Sequence, residues 1–124
     1  MSGKKKILVV DDDPTVCELL EAVLEEIGYD SVTVADAEQA RAVFCHNPRQ
    51  FDLIILDHII SNVQGEELAA EFLHLRPDIP IALYTGAVVP LEKVRSKGVR
   101  AVIRKPLTKN EFSAALARIL NNGA

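Results

Sequence analysis

Five polar side chains follow short apolar runs of the sequence and could together support metal and phosphate chemistry. Asp11 and Asp12 follow the first run, Asp57 the third, Thr85 the fourth and Lys105 the fifth. The carboxyl ends of parallel strands form one edge of a sheet, and open α/β sheets bind ligands at that edge. If the first and third strands are neighbours, the three carboxylates share one crevice, with Thr85 and Lys105 at its rim.

Three converging carboxylates repel one another, which raises their proton affinities unless a cation neutralises the cluster. Magnesium suits such a cluster because it takes one or two carboxylates, keeps several waters and leaves room for phosphate oxygens. A bound ion would keep Asp57 ionised and favour a phosphoryl dianion beside it. A carboxylate can attack phosphorus to give an aspartyl phosphate. Each motif alone has an ordinary structural explanation, and their joint placement at four strand ends favours the functional one.

The elements that would position these side chains are strands alternating with helices along the whole chain. Asp13 is a predicted N-cap with Pro14 at the first helical position, and Gly28 ends that helix. Capping boxes are predicted for two further helices, with a hydrophobic staple in the last one. The predicted strands are 7–10, 31–34, 52–56, 79–84 and 101–103; the capping pairs are Asp36 with Gln39 and Thr108 with Glu111, and the staple is Leu107 with Phe112. Five βα units predict an α/β fold, a doubly wound parallel sheet with helices on both faces.

Composition excludes several classes of protein. The 124 residues are interpreted as one domain over 1–124, with a core from about residue 5 to 121. A net charge of −4 argues against direct nucleic-acid binding. No apolar run approaches the roughly 18 residues that span a membrane, and no signal-peptide core is found. Cys17 and Cys45 lack metal-site or CxxC spacing, so they are predicted to be reduced thiols of a cytoplasmic protein.

Four segments, 7–14, 52–57, 81–86 and 104–107, closely resemble response-regulator receiver domains of two-component signalling. The resemblance extends from about Lys5 to Leu120. It implies a flavodoxin-like three-layer sandwich with a five-stranded sheet in the order 2-1-3-4-5. The segments 75–80, 85–86 and 98–101 also resemble receivers at the carboxyl ends of hybrid sensor kinases.

The resemblance implies a role for each residue of the acidic cluster. Asp57 would take a phosphoryl group from the phosphohistidine of a histidine kinase or a histidine phosphotransfer protein. Asp12, Asp57 and the backbone carbonyl of Ile59 would ligate Mg²⁺ or Mn²⁺, with Asp11 contributing directly or through water. The chain would assist its own phosphotransfer and slow autodephosphorylation without being an enzyme.

The resemblance also implies how phosphorylation is sensed. Lys105 would pair with phosphoryl oxygens and precede Pro106 through a bond expected to be cis, and the Thr85 hydroxyl would move to the phosphate. A kinase would dock near the first helix. An effector domain or a second copy would contact the fourth helix, fifth strand and fifth helix.

The chain departs from the family pattern at several positions. Ser61 replaces a usual proline, and Val102 replaces a usual aromatic residue, so an aromatic rotamer switch cannot operate. Ile59 and Ala87 are apolar where a water would be positioned, which predicts a long-lived phosphorylated state. His58 is expected to face solvent.

Three alternatives stay open. A haloacid-dehalogenase-like phosphatase would use Asp11 as nucleophile in a motif similar to residues 11–15, but no aspartate follows Asp78 to supply its further metal ligands. A flavodoxin-like cofactor carrier fits less well because three aspartates would repel a flavin phosphate. A receiver-like interaction module that is never phosphorylated is the third. The sequence also leaves open whether the chain is a stand-alone receiver or part of a longer regulator.

Overall fold

The chain folds into a three-layer α/β sandwich, seen in a computed structural model that describes residues 4–60, 63–86, 89–105 and 108–121. The central sheet has five parallel strands in the order β2-β1-β3-β6-β7, which is the 2-1-3-4-5 order expected for the five principal strands. The strands are β1 Lys6–Val10, β2 Asp30–Val34, β3 Leu53–Asp57, β4 Ile59–Ile60, β5 Val63–Gln64, β6 Ile81–Thr85 and β7 Ala101–Arg104; the helices are α1 Pro14–Ile27, α2 Ala37–His46, α3 Gly65–Leu75, α4 Leu91–Ser96 and α5 Lys109–Asn121.

Alternation along the strands divides the core into two halves. Successive strand residues point to opposite faces of a sheet, so the central strand β3 sends Ile54 and Leu56 to one half and Leu53 and Ile55 to the other. Helices α2, α3 and α4 cover the first half, and α1 and α5 cover the second. The apolar stretch of β3 is buried on both faces, as a central parallel strand requires.

The predicted helix caps are confirmed, with one change of partner. The Asp13 carboxylate accepts a hydrogen bond from the Thr15 backbone N–H at 2.9 Å. Thr108 and Glu111 make the reciprocal bonds of a capping box, at 3.0 and 3.1 Å. At α2, Asp36 accepts from the Gln39 N–H as expected, but the Gln39 side chain accepts from Ala35, one residue before the predicted donor. The Leu107 side of the proposed staple lies outside the described residues.

Two small elements were not predicted from the sequence. Residues 48–50 form a single 3₁₀ turn before β3. The two-residue strands β4 and β5 pair antiparallel between β3 and α3, with Ile59 opposite Gln64. The polypeptide therefore forms a small hairpin immediately after Asp57. No helix in the described ranges is long and apolar enough to cross a membrane.

Candidate functional site

The register of the two central strands brings Asp11 and Asp57 together. Val10 pairs with Leu56 in the β1–β3 ladder, so the next residue of each strand lies at the same edge of the sheet. Carboxylate oxygens of Asp11, Asp12 and Asp57 lie within 4.8 Å of one another. The cluster predicted from strand ends is therefore present: Asp11 and Asp12 follow β1, and Asp57 is the last residue of β3.

Asp11 is the most tightly held of the three acids. Its backbone N–H donates to the Val34 carbonyl at 3.1 Å, and its Oδ1 accepts from the Asp13 N–H at 2.9 Å. The residue is 2% exposed, and Oδ2 has no hydrogen-bond partner within the described ranges. Lys105 Nζ lies 3.6 Å from this Oδ2. Burying a carboxylate oxygen without a hydrogen-bond donor costs folding free energy unless a cation compensates the charge.

Asp57 is partly buried, and its environment disfavours the ionised form. Burial raises the pKa of its carboxyl, and the charges of Asp11 and, to a lesser extent, Asp12 raise it further. Lys105 and a hydrogen bond from the His58 backbone N–H act in the opposite direction on this pKa. That N–H lies 2.8 Å from Oδ1. The single positive charge of Lys105 therefore does not neutralise the three carboxylates.

Lys105 lies between the acidic cluster and an aromatic ring. Its backbone N–H donates to the Thr85 carbonyl at 2.8 Å, which joins the ends of β6 and β7. Its Nζ lies 4.9 Å from the centroid of the Tyr84 ring, within the range of a cation–π contact. Thr85 is buried at the end of β6, at the same edge of the sheet. Lys105 therefore lies beside the acids, and Thr85 lies at the same edge of the sheet.

The donor set fits a hard divalent cation. Three carboxylates contribute oxygen atoms, and Mg²⁺ prefers oxygen ligands with room for several waters. Asp12 is exposed, so a hydrated ion could approach from solvent. Ile59 begins β4 two residues after Asp57, which keeps its backbone near this end of β3. The orphaned Asp11 Oδ2 is an independent feature that such an ion would satisfy.

The structure places two residues beside the site that the sequence analysis did not assign to it. His58 was expected to face solvent, and this was wrong: its Nε2 lies 3.5 Å from Glu66 Oε2 and its side chain is 23% exposed. Glu66, in the first turn of α3, is buried although glutamate is rarely buried. Its helical spacing to Ala69, which belongs to the core, was a signal that could have placed it against the sheet.

Several predictions concern residues whose structure is only partly described. Ser61, Ala87 and Pro106 lie outside the described residues, as does the side chain of Ile59. The cis bond before Pro106 and the long phosphate lifetime therefore stay predictions, and so does the expectation that Ser61, in place of proline, loosens its loop. Val102 is partly buried in β7 and packs against the half of the core under α2, α3 and α4.

Nearly the whole chain is similar in sequence to proteins of one known family. Residues 7–117 match the family model of the response regulator receiver domain. The chain is 35% identical to the transcriptional regulatory protein AruR of Pseudomonas aeruginosa, over 90% of this chain and 48% of that protein. It is 34% identical to the phosphate regulon transcriptional regulatory protein PhoB of the same organism, over 94% of this chain and 52% of that one.

Solved structures agree with the sequence relatives. A CheY-like receiver domain protein of Methanospirillum hungatei superimposes with a TM-score of 0.86 at 26% identity, covering 98% of this chain and 97% of that one. The chain spans about half the length of the curated relatives that it matches. From the family match, the shared fold and the acidic cluster at the expected strand ends, we conclude that this chain belongs to the response regulator receiver domain family of two-component signalling.

Proposed function

We propose that Asp57 is the phosphoacceptor of this receiver domain and that it takes its phosphoryl group from a phosphohistidine. The observation that carries the proposal is the convergence of three carboxylates within 4.8 Å, with Lys105 beside them. Of the two innermost acids, Asp57 is the more accessible, since Asp11 is 2% exposed. An incoming phosphohistidine can therefore reach Asp57 while Asp11 stays behind it.

The geometry indicates which oxygen of Asp57 reacts. Oδ1 accepts the His58 N–H at 2.8 Å, so Oδ2 is the oxygen that we expect to attack phosphorus. The new bond joins Oδ2 to phosphorus, and the bond from phosphorus to the donor imidazole nitrogen breaks. The electron pair of that bond stays on the imidazole, and the product is a mixed anhydride of carboxylate and phosphate.

Lys105 and the remaining acids would manage the charge in this reaction. Lys105 Nζ, 3.6 Å from Asp11, can turn to a phosphoryl oxygen without leaving the cluster. Asp11 and Asp12 would hold Mg²⁺ or Mn²⁺ together with Asp57 and the Ile59 carbonyl. When bound, this ion would neutralise the acids and stabilise negative charge on the phosphoryl oxygens. Thr85, buried at the end of β6, would respond to the phosphate.

The geometry favours Asp57 over the phosphatase alternative with Asp11 as nucleophile. Asp11 is 2% exposed, and its other oxygen, Oδ2, lies 3.6 Å from Lys105 Nζ, so a phosphomonoester has less access to it than to Asp57. Asp13, the second acid of the phosphatase-like motif, caps α1 through Thr15 instead of joining the cluster. The chain is thus proposed to be a phosphoacceptor and not a turnover enzyme, which leaves the unphosphorylated interaction module as the competing hypothesis.

The partners follow from the family and from the surface. A histidine kinase or phosphotransfer protein is proposed to dock beside α1, where Leu19 is 57% exposed. Output to an effector domain or a second copy is proposed to use α4, β7 and α5. A cytoplasmic location is proposed on the same family grounds.

A phosphorylation assay tests the proposal. The protein is incubated with acetyl phosphate in Mg²⁺ or in EDTA, and its intact mass is measured. We expect one added phosphoryl group that requires Mg²⁺ and is lost in Asp57→Asn. An unmodified wild type would favour the interaction module, and hydrolysis of a phosphomonoester that is lost in Asp11→Asn would favour the phosphatase.

A further inference from the structure

A buried acid with one close partner lies next to the phosphoacceptor. Glu66 is 2% exposed, and its Oε2 has no hydrogen-bond partner within the described ranges. His58 Nε2 lies 3.5 Å from this oxygen. The next residue, Glu67, is 59% exposed, as acids in the first turn of a helix usually are. Its Oε1 lies 4.0 Å from Lys97 Nζ. Burying Glu66 is costly, so its position calls for a compensating partner.

His58 connects this acid to Asp57. Its backbone N–H donates to Asp57 Oδ1 at 2.8 Å, and its carbonyl accepts from the Gly65 N–H at 2.5 Å. The same residue therefore closes the hairpin that follows β3 and orients the Asp57 carboxylate. Its imidazole reaches the first turn of α3, where Glu66 lies.

The start of α3 packs closely against the end of β3, next to His58 and Asp57. A Cβ atom added to Gly65 would lie 2.5 Å from the Asp57 carbonyl oxygen and 2.8 Å from Leu83 Cδ2, so α3 begins in close contact with the end of β3. Because the His58 N–H holds Asp57 Oδ1, a small shift of the His58 backbone would also move the Asp57 carboxylate. Misplacing a reacting group by about 1 Å can cost roughly a hundredfold in rate.

We propose that Glu66 is a positioning residue for phosphorylation: through the His58 imidazole it fixes the turn whose N–H holds Asp57 Oδ1, and so leaves Oδ2 available to the phosphodonor. This inference rests on the proposed role of Asp57. Glu66 touches neither donor nor metal and acts only through His58.

The test compares rate constants of phosphorylation by acetyl phosphate in Mg²⁺, measured on variants whose folding is checked by circular dichroism. We expect Glu66→Leu to be slower than wild type by about tenfold. Glu66→Gln should recover most of this rate because it keeps the size of the side chain and an oxygen beside His58 Nε2. The matched control Glu67→Leu, one residue along and exposed, should react at the wild-type rate.

A double mutant separates positioning through His58 from a merely structural effect. We expect His58→Leu to be as slow as Glu66→Leu, and His58→Leu combined with Glu66→Leu to be no slower than His58→Leu alone. If Glu66→Leu does not fold, the slow rate of His58→Leu and the recovery in Glu66→Gln carry the test.

Three results would overturn the inference. The first is a wild-type rate in Glu66→Leu or His58→Leu. The second is a Glu66→Gln variant as slow as Glu66→Leu. The third is that Glu66→Leu slows the His58→Leu variant by the same factor as it slows the wild type. In all three the wild type is phosphorylated at Asp57, so the proposed function survives. A wild type that takes no phosphate overturns both.

Discussion

The acidic cluster should destabilise the metal-free fold, and Asp57→Asn should relieve this. The substitution keeps the shape of the side chain and removes one of three negative charges that lie within 4.8 Å of one another. Burial and the neighbouring acids raise the pKa of Asp57 in the folded chain above its usual value. At neutral pH the ionised form is thus less favourable in the folded state than in the unfolded state.

The magnitude follows from the distances. Two unit charges 4.8 Å apart repel by roughly 3 kcal/mol at an effective dielectric constant of about 20. Asp57 has two such neighbours, but Lys105 attracts it and solvent screens a partly exposed group. We therefore expect Asp57→Asn to raise the free energy of unfolding by about 1 to 2 kcal/mol in EDTA.

The assay is urea denaturation of wild type and Asp57→Asn at neutral pH, in EDTA and in Mg²⁺, with exposed Asp30→Asn as control. The difference should shrink or reverse in Mg²⁺, since an ion bound to the native state stabilises the wild type. It should also shrink as the pH falls through the raised pKa of Asp57, because the protonated carboxyl no longer repels its neighbours. An Asp57→Asn variant that is no more stable than wild type in EDTA would refute the reasoning.

Three further predictions concern the stability of the fold, and chemical denaturation checks each of them. Gly65→Ala should cost about 1 to 3 kcal/mol because its Cβ would lie 2.5 Å from the Asp57 carbonyl oxygen. Gly86→Ala should change stability little, since among the described residues its Cβ would meet no atom nearer than 3.8 Å; equal costs would contradict the packing argument. Thr108→Ala should cost about 1 kcal/mol by removing the cap of α5, and an unchanged midpoint would argue against that cap. Arg41→Ala should cost only about 0.5 kcal/mol, less at high salt, because its pair with Glu71 is exposed; a larger cost that salt does not reduce would be inconsistent with this.

The fold was predictable because its local signals agree with one another. The apolar run of β3 and the caps at Asp13 and Thr108 each indicate the element that forms there. The strand order could not be predicted from these local signals. Periodicity gives strands but not their neighbours, so the position of β1 beside β3 came from family resemblance and is confirmed by the register of Val10 with Leu56.

The site was predictable where its residues follow strands and was missed where they do not. Asp11, Asp57 and Lys105 occupy strand ends, and parallel strands bring such ends to one edge. Glu66 and His58 belong to a hairpin and a helix start, where side-chain direction depends on tertiary packing. A glutamate in a first helical turn is ordinarily solvated, and only the close approach of α3 to β3 buries this one.

Locating the phosphoryl group on the chain decides whether Asp57 is the residue that accepts phosphate. After reaction with acetyl phosphate and Mg²⁺, borohydride reduction converts an aspartyl phosphate to homoserine, and peptide mass spectrometry identifies the position. We expect homoserine at position 57 and nowhere else. Homoserine at position 11, or at neither position, would contradict the account.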